Sequence, residues 1–206
     1  MKIKICGLTE KQNLLDVLFL QPDYIGLNFY PGSSRFAGDN KTLTFLMHAI
    51  TGTCKTGVFV NEQQEIIQET VNTYNLDCVQ LHGDERPVAC AAINVSKPVI
   101  KAFQMIPDFD FKQLHDYVGS CAYFLFDSPS AGYGGSGQSF DWSVLHNQEI
   151  PLPFFLSGGI GLNHVTQLKN FKHDQLMGVD INSKFEDSPG VKNINDLKAF
   201  IHEIRN

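Results

Sequence analysis

Short apolar runs alternate with longer amphipathic ones along the whole chain, and that rhythm restricts the fold more than any other feature of the sequence. The apolar runs fall at 3–6, 24–29, 56–60, 78–81, 99–103, 123–127, 154–156 and 177–181. They are bounded by Gly, Pro, Asp or Asn, as buried parallel strands are. Amphipathic stretches lie between them. Thr9 and Glu10 open the first, with Thr9 as N-cap ahead of Leu14, Leu15, Leu18 and Phe19. The others cover 41–50, 62–74, 85–93, 109–118, 141–146, 163–171 and 194–204. Eight units in 206 residues leave about 26 residues for each, enough for a strand, a helix and short loops. The expectation is an α/β fold, a single (β/α)8 barrel domain spanning 1–206. Periodicity alone leaves an open doubly wound sheet as the structural alternative, which five or six units would favour.

Composition narrows the function classes. The formal net charge is −6, whereas nucleic-acid binders usually carry a basic surface. A small anionic ligand needs only local donors and one or two cations, so it stays open. Cysteines stand at 6, 54, 78, 90 and 121, an odd number with no CxxC, which is neither a disulfide framework nor a zinc pattern. The first residues, MKIKICGLTE, lack the apolar core of a signal peptide, and no long apolar stretch suggests a membrane span. A cytoplasmic protein is expected, with no nucleic-acid or membrane partner.

In a barrel the reactive groups come from the C-terminal strand ends and the loops that follow. The polar residues expected there are Cys6, Asn28 with Arg35, Asn61, Gln80 with His82, Lys101, Asp127, Ser157 to Gly159, and Asp180 with Asn182 and Ser183. A thiol at residue 6 serves as a base if its pKa falls; taken alone it reads equally as a buried structural cysteine. Asp127 closes an apolar run, and apolar surroundings favour the protonated form that a general acid needs. The Ser128-Pro129 that follows also suits a turn aspartate. Arg35 can hold a carboxylate through two N–H bonds. Gly158 and Gly159 after the seventh strand, with Ser183 after the eighth, stand where barrels commonly bind phosphate. His82 reads as a satisfied structural histidine, and Asp180 as a contact for a substrate hydroxyl or a strand-end hydrogen bond. The glycine-rich run 130–139 reads as one mobile loop, with Gly132, Gly134, Gly135 and Gly137 able to close over a ligand.

Nine segments share an order with one family. They are Lys4-Ile5-Cys6-Gly7-Leu8-Thr9, Gly26-Leu27-Asn28-Phe29-Tyr30 with Ser33 to Arg35, Gly57-Val58-Phe59-Val60-Asn61 and Val79-Gln80-Leu81-His82-Gly83-Asp84-Glu85. Then come Phe126-Asp127-Ser128, Gly134-Gly135-Ser136-Gly137 leading to Phe140-Asp141-Trp142, Ser157-Gly158-Gly159, Gly178-Val179-Asp180 and Ser188-Pro189-Gly190-Val191-Lys192. Together they resemble the phosphoribosylanthranilate isomerases of tryptophan biosynthesis over nearly the whole chain. The resemblance implies an Amadori rearrangement of N-(5-phosphoribosyl)anthranilate, with Asp127 as general acid and Cys6 as general base. It implies Arg35 on the anthranilate carboxylate, the phosphate on Gly158, Gly159 and Ser183, and Asp180 as a further substrate contact. It implies no metal and no organic cofactor. The expected partner is a small phosphorylated substrate, and the expected assembly a monomer or homodimer.

Three departures stand out. Lys184 occupies a position that is usually Gly, Ser34 one that is usually Pro, and Leu162 and His164 positions where Pro and Asn are common. The related histidine-pathway isomerases carry a carboxylate where Cys6 stands. A non-catalytic phosphate-binding barrel is the reading that Lys184 supports. A metal-dependent epimerase lacks a matching set of ligands.

Overall fold

The structure is a computed structural model that describes residues 1–38, 40–129 and 139–206. Eight parallel strands form a closed barrel in chain order, β1(Lys2–Cys6), β2(Tyr24–Asn28), β3(Cys54–Phe59), β4(Cys78–Leu81), β5(Val99–Gln104), β6(Tyr123–Asp127), β7(Phe154–Leu156) and β8(Leu176–Ile181). β1 pairs with β2 on one side and β8 on the other, so no edge is left. This is the (β/α)8 barrel expected from the rhythm of the sequence.

Successive residues of a strand point to opposite faces, and that alternation divides the labour. Ile3, Ile5, Ile25, Leu27, Val79, Leu81, Phe124, Phe126, Phe154, Leu156, Val179 and Ile181 pack outward in the larger apolar cluster, beneath the surrounding layer. Cys78, Ile100, Ala102, Leu125 and Phe155 form a second cluster, with Tyr24, Cys54, Tyr123 and Met177 against it. It fills the lower barrel, towards the strand starts.

The outer layer is built from α1(Lys11–Phe19), α2(Lys41–Ala49), α3(Gln64–Thr73), α4(Pro87–Asn94), α5(Val165–Asn170) and α6(Ile194–Arg205). In α6 the buried residues Leu197, Phe200 and Ile201 form an inward stripe at helical spacing, and Asn193 caps the start by accepting the Asp196 N–H. Two expected helices are not α-helical. Phe111–Tyr117 and Trp142–Leu145 are 3-10 segments, opened by Asp110 and Asp141, whose side chains accept the N–H groups of Lys112 and Ser143. Such local bonds compete with an α-helical start, and these segments are too short to recover that loss by propagation. Thr9 is not the N-cap of α1 either. Glu10 holds that place without a side-chain bond, and Thr9 Oγ1 donates to Gly190 O.

A hairpin absent from the expected pattern follows β8: β9(Glu186–Ser188) pairs antiparallel with β10(Val191–Lys192). Asn13 of α1 ties it down, donating to Lys192 O at 2.8 Å and accepting the Lys192 N–H at 2.7 Å.

Candidate active site

The last inward positions of the strands meet in one cavity at the C-terminal mouth. Cys6, Asn28, Gln80, His82, Asp127, Ser157, Asp180 and Asn182 line it, and Ser33, Arg35, Gly158, Gly159 and Ser183 reach it from the loops. Cys6, Asp127, Arg35, Asp180, Gly158, Gly159 and Ser183, singled out for catalysis or substrate contact, are therefore brought to the same place. Asn61 and Lys101 are not. Lys101 is buried in an ion pair with Glu85 at 3.0 Å, and the Asn61 N–H donates to Glu85 at 2.8 Å, which secures the β4–α4 loop. The run 130–138, with Gly132, Gly134, Gly135 and Gly137, lies outside the described residues.

β1 carries two inward residues, Lys4 and Cys6. Lys4 is fully buried, and its ammonium meets Asp180 Oδ2 at 2.8 Å. Burial works against that charge, but Asp180 and the neighbouring Cys6 outweigh it and hold the ammonium above the ordinary lysine range. A buried cation costs several kcal/mol unless paired, so Lys4 and Asp180 depend on one another. Asp180 Oδ1 is buried and has no hydrogen-bond partner among the described residues. Cys6 departs from expectation. Burial pushes its thiol above the ordinary cysteine range, although Lys4 and Lys192 pull the other way. Gly26 on β2 makes room for it, because a Cβ there would stand 2.6 Å from Cys6 Sγ.

Asp127 is not in purely apolar surroundings. Its Oδ1 accepts the Ser128 N–H at 2.9 Å, and its Oδ2 lies 3.2 Å from His82 Nε2. β1 and β6 are separated in the barrel by β7 and β8, so Cys6 and Asp127 approach the cavity from different sides.

Arg35 sits in the loop after β2, where Ser33 Oγ accepts the Arg35 N–H at 3.1 Å. That bond fixes the loop without the proline that Ser34 replaces. The guanidinium is already engaged: Nε lies 2.9 and 3.0 Å from the two Glu186 oxygens, and Nη2 lies 2.6 Å from Oε2. Glu186 also accepts from Lys192 Nζ at 2.7 Å and from the Gly190 N–H at 3.1 Å. Burial works against the Glu186 charge, yet Arg35 and Lys192 hold the carboxyl below its ordinary range. The Nε edge of Arg35 is thus committed to the hairpin.

Gly158 and Gly159 follow β7 with φ of +87° and +62°. A Cβ at Gly158 would fall onto Ser128. Both glycines line the cavity, and their left-handed backbone is one that glycine adopts without steric cost. The Gly161 N–H is used within the chain, donating to His164 Nδ1 at 3.1 Å. Ser183 and Lys184 lie in a 3-10 turn, Ser183–Phe185. Lys184 is exposed and does not have a positive φ, so it needs no glycine backbone there. The stem of its side chain lies beside Gly161.

Sequence reasoning misses Lys4, Glu186 and Lys192. The first is accessible, since alternation along β1 puts residues 4 and 6 on one face. The others belong to a hairpin whose partner, Arg35, is 151 residues away from Glu186.

Comparison with known proteins agrees with this geometry. The family model described as N-(5'phosphoribosyl)anthranilate (PRA) isomerase matches residues 3–203. The N-(5'-phosphoribosyl)anthranilate isomerase of Parabacteroides distasonis is 41% identical over 214 residues, covering 99% of this chain and 93% of the relative. The crystal structure of phosphoribosyl anthranilate isomerase from Thermotoga maritima superposes with a TM-score of 0.86 at 29% identity, covering 100% of this chain and 98% of the other. A further phosphoribosyl anthranilate isomerase, solved in complex with reduced 1-(o-carboxyphenylamino)-1-deoxyribulose 5-phosphate, gives a TM-score of 0.80 at 26% identity, with 100% and 98% coverage.

Proposed function

The chain belongs to the N-(5'-phosphoribosyl)anthranilate isomerase family, and from that premise we propose that Asp127 is the general acid and Cys6 the general base of its reaction. The reaction converts N-(5'-phosphoribosyl)anthranilate to 1-(2-carboxyphenylamino)-1-deoxyribulose 5-phosphate, the Amadori rearrangement of tryptophan biosynthesis. The observation that carries the assignment is the convergence of Cys6, Asp127, Arg35 and the Gly158–Gly159 turn on one cavity.

Asp127 gives its proton to the ribose ring oxygen. The bond from that oxygen to C1' breaks, and the anthranilate nitrogen shares the positive charge as a protonated imine. Cys6, as thiolate, removes the proton from C2', and the electrons of that bond form the C1'–C2' double bond of an enolamine. Its tautomerisation gives the ketone. The two groups need opposite protonation states at one pH, so their separation into different environments is chemically necessary. Arg35 meets the anthranilate carboxylate with its Nη1 end. Backbone N–H groups at Gly158, Gly159 and Ser183 hold the phosphate, and Asp180 Oδ1 accepts a sugar hydroxyl. The scheme asks for no metal or organic cofactor. A cytoplasmic location and a monomeric or homodimeric assembly belong to this proposal.

EDTA-treated protein is expected to turn over phosphoribosylanthranilate, followed as loss of anthranilate fluorescence. Asp127→Asn and Cys6→Ala are each expected to lower kcat by about 100-fold or more, the scale of general acid–base help. Near-normal kcat in either variant would remove that residue from its role.

A further inference from the structure

His82 is the one imidazole lining the active cavity among the described residues, and the acid–base scheme gives it no task. It is nevertheless held from both sides. Its Nε2 stands 3.2 Å from Asp127 Oδ2. Its Nδ1 stands 2.9 Å from the side-chain nitrogen of Gln80. The His82 N–H donates to Phe59 O at 2.8 Å, which anchors the start of the β4–α4 loop. Gln80 is 1% exposed, two residues earlier on the same inward face of β4.

An amide nitrogen only donates. Facing Gln80, Nδ1 of the neutral ring is therefore the acceptor, and the ring proton lies on Nε2, directed at the carboxyl of Asp127. Ser128 supplies the second donor, to Oδ1, at 2.9 Å. Each oxygen of Asp127 thus faces one fixed N–H, and the plane of the carboxyl is set by the residues that directly follow β4 and β6.

We infer that Gln80 and His82 form a positioning pair for Asp127: Gln80 selects the ring tautomer, and His82 orients the carboxyl and stabilises the negative charge left on it when its proton departs. This inference rests on Asp127 as the acid. A neutral carboxyl is a weak acceptor, whereas a carboxylate is a strong one. The His82 N–H bond therefore tightens as the ring oxygen of the sugar takes the proton. The donors are already aimed before the step, so no reorganisation is needed while charge develops. His82 transfers no proton in this arrangement, because passing Nε2–H to Asp127 would require a new proton at Nδ1, where Gln80 donates.

The test compares His82→Phe, which keeps a ring and loses the donor, with His82→Gln, whose amide N–H falls near the place of Nε2. His82→Leu replaces the Phe variant if the larger ring prevents folding. His82→Phe is expected to lower kcat about 100-fold, the lower end for losing one preorganised donor. The Kd for reduced 1-(o-carboxyphenylamino)-1-deoxyribulose 5-phosphate is expected to stay within about threefold. His82→Gln is expected to recover most of the lost kcat. A kcat within about twofold of the parent in His82→Phe overturns the inference, as does an equal loss in the Phe and Gln variants, or a Kd that weakens in step with kcat. Asp127→Asn is measured alongside. If it is inactive while His82→Phe is normal, only the positioning pair falls; if it is active, the acid assignment falls first.

Discussion

At Cys6, burial and charge pull in opposite directions. The thiol is pushed up by its surroundings and drawn down by Lys4 and Lys192, and burial prevails. A base must be unprotonated, so activity should follow the thiolate. We expect kcat/KM to climb as the pH rises from about 7 to about 9, because the thiol titrates above the ordinary ~8.5. A profile flat across that interval would argue against a thiolate base. Lys4→Met removes the principal cation, so the climb should begin at still higher pH, and the rate at pH 7 should fall about tenfold for every pH unit by which the climb moves. Arg35 belongs to the same scale. Losing one charge-assisted carboxylate contact costs about 1.5–3 kcal/mol, so Arg35→Ala should raise KM roughly 10- to 100-fold with little change in kcat. An unchanged KM would dismiss the clamp.

Between residues and fold lie the elements that aim them. The β9–β10 hairpin holds Arg35 through Glu186, and Asn13 holds the hairpin to α1. Glu186→Gln should therefore raise KM several-fold, with the catalytic pair untouched; equal KM values would show that Arg35 aims itself. The ion pair also has a pH signature. The Glu186 carboxyl is held below its ordinary range, so its contribution to stability is present above about pH 4.3, the unfolded value, and is lost as pH falls through the folded one. β2 works by omission. Gly26→Ala would set a methyl 2.6 Å from Cys6 Sγ, so kcat should drop at least tenfold, the scale of about 1.4 kcal/mol in the barrier. Kinetics beside a melting curve separates that displacement from general loss of fold. The strands are legible in the sequence to within two residues, because the outward face of most is apolar at every second position and their neighbours are breakers. Phe111–Tyr117 and Trp142–Leu145 are not, because apolar spacing does not separate an α turn from a 3-10 turn once an aspartate captures the first N–H. The hairpin is hidden because Glu186-Asp187-Ser188 has no strand-like pattern, and its reason to exist is a distant arginine.

Across the whole molecule, alternation along eight strands makes two stacked compartments inside one barrel. The upper inward positions are polar and gather the reactive groups; the lower ones are filled by Cys78, Ile100, Ala102, Leu125 and Phe155. Lys4 and Asp180 are a buried ion pair in that interior. Exchanging both for apolar side chains, as in Lys4→Met with Asp180→Leu, should leave stability unchanged or raise it by up to about 4 kcal/mol while removing most activity. A marked loss of stability in the double variant would mean that the pair holds the barrel together and is not kept for catalysis. The packed lower cluster has a consequence for turnover. With its base stoppered, the barrel is, among the described residues, a vessel with one neck: the ketose is expected to back out along the route by which the glycosylamine came in. The two occupy the same volume in turn, so accumulating product is expected to slow turnover competitively, as initial rates at rising product would show.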